Sequence, residues 1–188
     1  MIELYYDAYS LAYFVVSQEM SVKTQMDFLE KVYSQEYEFL YPCYKENKKD
    51  FISDVLYWTD YFVDKDKLDK EFPVIEKDFK AAGRQFIKED MMSDFPEFDM
   101  FFMILRLRIL YVCEQKYVRM KLRTLLKNYG YKRRSDQILA RIRDCLMFYH
   151  LQPYLRGEQE CSIKDINLDD MITFRVPGAI PHKRIVKE

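Results

Sequence analysis

Asp99, followed fifteen positions later by Glu114-Gln115-Lys116, is the one spacing in this chain that imitates a catalytic set. In metal-dependent nucleases an acidic residue and a Glu-x-Lys hold Mg²⁺ and assist the attacking water. That chemistry needs its groups gathered at strand ends, and Met100 to Cys113 contains no turn residue that would fold the segment back. Glu-x-Lys is also common on charged helix surfaces, so the pattern is read as surface. The only histidines are His150 and His182, and neither has a Cys, His or carboxylate at metal-ligand spacing. His150 is expected to cap a helix end. Four glycines leave little material for a phosphate-cradling loop, and neither Gly-x-Gly-x-x-Gly nor a Walker pattern occurs. These observations predict a protein that is not an enzyme and takes no metal and no cofactor.

Cys43, Cys113, Cys145 and Cys161 are widely separated and sit in apolar or mixed surroundings, which predicts reduced thiols in a cytoplasm. No charge-free run approaches the roughly 20 residues that span a bilayer, and Met1 leads into Ile-Glu-Leu-Tyr-Tyr-Asp rather than a basic and then apolar leader. A cytoplasmic protein that does not enter the membrane is expected.

The elements that position any site begin with charge. The net charge of -1 conceals a division: residues 1 to 105 carry 12 basic and 22 acidic side chains, and residues 106 to 188 carry 18 basic and 9 acidic. Between residues 106 and 143, 12 basic side chains face only Glu114 and Asp136. Such a field either neutralises a polyanion, releasing its counterions, or serves as a solvated or internally docked surface. Charge alone leaves both open.

Apolar content of 49% with 4 Gly and 6 Pro among 188 residues favours helices around a core. Ala8 to Met20 reads as a buried helix. Ser21 can cap a second, in which Val22, Met26, Leu29 and Val32 recur at three- and four-residue steps, the pattern continuing to Phe39 and Leu40 before Pro42. Lys45 to Asp50 reads as a charged linker, Phe51 to Phe62 as an apolar helical segment and Asp64 to Glu71 as solvated. Pro73 opens an expected helix to about Glu89 carrying Val74, Ile75, Phe79 and Phe86, and Asp94 with Pro96 repeats that start signal. Phe98 to Tyr111 is read as helix, although the alternation around Leu105 to Ile109 also fits a strand. Tyr5, Tyr6, Tyr9, Tyr13, Tyr33, Tyr37, Tyr41 and Tyr44 are expected to pack their rings, and their acidic surroundings point to a protein partner rather than a polyanion.

Lys116 to Asn128 reads as a basic amphipathic helix with Val118, Leu122, Leu125 and Leu126 inward, closed by Tyr129-Gly130. Ser135 can cap the next, in which Ile138, Leu139, Ile142, Leu146 and Met147 recur. Leu151 to Arg156 and Met171 to Val176 look like two strands of a hairpin, with polar Gly157 to Asp170 between them. This succession resembles a winged helix, in particular bacterial winged-helix modules with a Leu-Leu-x-x-[Phe/Tyr]-Gly-x-x-Arg-Arg segment. Here it reads Leu125-Leu126-Lys127-Asn128-Tyr129-Gly130-Tyr131-Lys132-Arg133-Arg134, and the resemblance covers residues 116 to 176. Asp136 and Asp144 depart from it, making the second helix less basic than a groove-reading helix needs. The resemblance therefore implies phosphate contacts from Lys132, Arg133 and Arg134 in the turn and from Arg119, Lys121, Arg123 and Lys127 before it, with Arg141 added from the second helix.

The expectation is a mainly α protein: an acidic helical domain over residues 1–105, a basic winged-helix-like domain with a small β-hairpin over 106–180, and a tail over 181–188. Its expected role is non-enzymatic nucleic-acid binding, to duplex DNA or RNA, in a regulatory or accessory protein whose acidic half pairs with a protein partner. A homodimer stays open. The alternative is a protein-binding inhibitor or adaptor of the kind carried by phages or mobile elements, such as an anti-CRISPR-like or nucleic-acid-mimicking inhibitor of a nuclease.

Overall fold

The computed structural model describes residues 4–71, 96–129, 131, 133–155 and 159–179. The expected helix from Pro73 to Glu89 lies outside these residues, as do Asp94, Gly130, Lys132, Arg156, Gly157, His182 and the tail over 181–188. The described chain forms two compact units, one of residues from Tyr5 to Pro96 and the other of Leu4 with the residues from Glu97 onward.

In the first unit, helix α1 (Ala8–Ser17) starts where Asp7 turns its carboxylate onto the backbone N–H of Ser10 at 2.8 Å. Its buried Leu11, Phe14 and Val15 pack it mainly against α4. Ser21 caps α2 (Val22–Gln35), as the serine before a periodic apolar run predicts, by accepting the N–H of Thr24. That helix ends at Gln35. A 3₁₀ turn over Tyr37–Phe39 follows, and Leu40 forms a bridge with Tyr6.

After the short α3 (Pro42–Lys45), the stretch read as a charged linker holds a helix start instead. The Asn47 side chain accepts the N–H groups of Lys49 and Asp50, opening α4 (Lys48–Glu71), which also absorbs the run from Asp64 to Glu71. The tyrosines line this unit with edge-on aromatic contacts, Tyr9 against Trp58 and Tyr44 against Phe51 among them. Several hydroxyls are engaged: Tyr6 donates to Glu36, and Tyr33 and Tyr37 both donate to the Lys45 carbonyl.

The second unit takes in α5 (Pro96–Leu107) from Glu97 onward, and this helix continues into a π-helical turn over Arg108–Val112. Lys116, with a left-handed φ of 57°, breaks the chain into strand β1 (Tyr117–Lys121). Helices α6 (Leu122–Asn128) and α7 (Asp136–Phe148) follow, then β2 (Gln152–Tyr154) and β3 (Met171–Arg175). Both neighbouring pairs are antiparallel, and β3 lies between β1 and β2.

Two expectations need correction here. Residues 117–121 are a strand rather than the first turns of a helix, because Val118 and Met120 pair with Phe174 and Ile172 of β3 and turn inward with them. Met147, expected inward, is 69% exposed; Arg141 and Cys145 lie on the buried face of α7 with Ile138 and Ile142. Residues 97–105 cluster with the residues that follow them. Their aromatic rings pack there: Phe98 meets Tyr129 and Tyr131, Phe101 meets Tyr129, and Phe102 meets Phe174.

Candidate nucleic-acid interface

Asp99 is fully buried and holds Arg141, whose Nε donates to its Oδ1 at 2.6 Å while Nη2 donates to Oδ2. The Cys145 thiol donates to the same carboxylate at 3.4 Å. Burial and the neighbouring carboxylate push that thiol far above its ordinary range. Lys116, the lysine of the Glu-x-Lys, donates its ammonium to the Leu110 carbonyl at 2.8 Å, fastening the end of the π-helical turn. Asp99 and Lys116 thus both have structural partners. Among the described residues no group of three His, Cys, Asp or Glu side chains is placed to hold a metal ion.

The basic residues expected at phosphates fall into three groups. Arg141 is the correction: only 5% exposed and committed to Asp99, it is not placed to meet a phosphate as expected. Arg106, within the same basic stretch, is also buried and donates to the Tyr149 carbonyl at 2.7 Å. Part of the positive excess is therefore internal structure.

A second group lies on α6 and the turn after it. Lys127 and Arg133 are exposed. Arg123 is exposed but clamped by Asp169 through two hydrogen bonds of 2.8 and 2.7 Å, and Arg134 donates to the Ile166 carbonyl. These two arginines tie the helix and the turn to the long connection between β2 and β3.

The third group is on the sheet. Because β1 is a strand, Tyr117, Arg119 and Lys121 alternate onto one face, away from Val118 and Met120. The register sets Tyr117 beside Arg175 and Arg119 beside Thr173, with Gln152 and Tyr154 on the other side of those two residues. Arg119 lies over the Tyr117 ring at 4.7 Å and donates from Nε to the Thr173 hydroxyl at 3.2 Å. Arg175 reaches both tyrosines, 5.8 Å from the Tyr117 ring and 5.5 Å from that of Tyr154. Tyr117, Tyr154 and Arg175 were missed by sequence reasoning. The polar and apolar alternation over residues 117–121 was the signal that could have found the first of them.

Helix α7 presents Asp136, Leu139 and Met147 toward a cleft of about 680 Å³, shared with Pro153, Ile163 and Lys164. Leu146 and Leu151 add to its apolar lining, and Arg143, His150 and Gln152 place polar groups at it. Among the described residues no helix is long and apolar enough to cross a membrane. Compared with known proteins, the chain matches no family model, no curated protein and no solved structure.

Proposed function

We propose that the second unit is a nucleic-acid-binding module of winged-helix type within a regulatory or accessory protein that performs no chemistry on its ligand. The observation that carries this reading is the set of exposed cations Lys121, Lys127 and Arg133, none of which has an ion pair among the described residues. Exposed cations not committed to an ion pair are the side chains a phosphate backbone can recruit, and their counterion release supplies binding free energy. The connectivity supports the winged-helix assignment: helix, strand, helix, turn, helix and hairpin, with the early strand added to the hairpin's second strand.

The first unit is proposed to bind a protein partner. Tyr13, Tyr37, Tyr41 and Tyr57 expose between 45% and 63% of their surface in an acidic region, and tyrosine is enriched where proteins meet. The same feature favours the second reading, an inhibitor or adaptor acting through that acidic, tyrosine-bearing surface. A gel shift of the full chain with duplex DNA, single-stranded DNA and RNA at low salt separates the two. Retarded complexes support nucleic-acid binding, and their absence with all three ligands leaves the adaptor.

A further inference from the structure

The three strands contain no carboxylate, and on one face of the sheet Tyr117, Arg119, Lys121, Tyr154 and Arg175 come together. The opposite face carries Val118, Met120, Ile172 and Phe174, with Ile172 and Phe174 fully buried. We propose that the basic and aromatic face binds a single-stranded polynucleotide. This rests on the nucleic-acid reading above and deepens it by naming the ligand and adding Tyr117, Tyr154 and Arg175 to the site.

Charge comes first. Three cations on one small face, with Glu160 and Asp169 as the acidic groups at its margin among the described residues, complement a phosphate backbone, and Asp169 is already held by Arg123. Planarity comes second. Arg119 and Arg175 lie across tyrosine rings, which holds their guanidinium groups in place before any ligand arrives. Bases of an unstacked strand can stack on such guanidinium and phenol planes, whereas the faces of bases in a duplex are already covered by their neighbours.

Shape decides between duplex and single strand. Strands spaced about 4.8 Å apart make a face roughly 10 Å wide before side chains are added. The major groove of B-DNA, about 12 Å wide, admits a helix or a two-stranded ribbon rather than that face laid flat. Four-stranded RNA-binding sheets, one strand larger, stack about two or three bases of an extended strand.

The test is fluorescence anisotropy of the full chain with labelled oligo(dT), oligo(U) and a DNA duplex of matched length, repeated for three variants whose fold is checked by circular dichroism. Tyr117→Leu keeps an apolar side chain but removes the plane, and should weaken single-strand binding about tenfold while leaving duplex binding unchanged. Tyr117→Phe restores the plane and should bind like the parent. Should Tyr117→Leu fail to fold, the exposed Arg119→Gln is read in its place and should weaken single-strand binding more than duplex binding. Unchanged single-strand affinity in folded Tyr117→Leu, with binding lost in a Lys127→Ala and Arg133→Ala double variant, overturns the sheet site and leaves the nucleic-acid reading standing. Tighter binding of duplex than of either single strand also overturns it. No binding of any of the three ligands at low salt removes both readings together. Sedimentation equilibrium showing a dimer that dissociates in Arg119→Gln assigns the face to a second copy of the chain and overturns the proposal.

Discussion

Asp99 on α5 and Arg141 on α7, 42 positions apart in sequence, meet as a buried two-bond ion pair with the Cys145 thiol on the same carboxylate. The pair joins the first and last helices of the basic unit. Removing one partner leaves a desolvated charge behind, so Asp99→Ala is expected to destabilise this unit by about 3–5 kcal/mol. Replacing both, with Asp99→Leu and Arg141→Met, should recover most of that loss, since apolar residues of similar volume often substitute for buried pairs. Urea unfolding of the single and double variants measures both.

Asp7 caps α1 from a site where burial pushes its carboxyl above the ordinary 3.8, even though Ser10 donates to it from both backbone and side chain. The folded state therefore binds the Asp7 proton more tightly than the unfolded chain does. The associated stability is fully present below about pH 3.8 and is lost as pH rises through the raised folded value. Asp7→Asn keeps the capping oxygen without the charge. It should be more stable than the parent at neutral pH, by a margin that shrinks on acidification. Thermal unfolding of both proteins from neutral pH downward reads the difference.

The four thiols should separate by reactivity. Cys43 is exposed, Cys113 and Cys161 are half-buried, and Cys145 is buried on Asp99. A neutral thiol reagent is expected to modify Cys43 first and Cys145 only when the basic unit opens. Mass spectrometry over a time course, with and without denaturant, follows the order. Cys145 modified as fast as Cys43 in the native protein would contradict the buried arrangement.

Local signals in the sequence account for much of this fold. Ser21 and Ser135 cap the helices they precede, the periodicity of Leu29 and Val32 or of Ile138 and Ile142 marks the buried sides, and the hairpin strands lie where their composition places them. What was hidden depends on distant partners. Tyr117 to Lys121 satisfies a helical pattern when continued into Leu122, and becomes a strand through its pairing with β3, 54 positions on for Arg119 and Thr173. Arg141 looked like a surface cation because its partner lies 42 residues upstream. The sheet face was illegible for the same reason: a helical Tyr117 would not share a face with both Arg119 and Lys121, and Arg175 belongs to another strand.

The salt dependence of binding tests the central claim most directly, because counterion release reports how many phosphates the protein neutralises. Full-length protein should bind single-stranded oligonucleotide with log K falling linearly as log salt rises between roughly 50 and 200 mM. The folded double variant Lys127→Ala, Arg133→Ala should bind more weakly, with a slope shallower by about 0.7 for each phosphate that is no longer neutralised. No binding by the parent protein at roughly 50 mM salt, or an unchanged slope in the folded variant, would contradict a phosphate-binding surface at these residues.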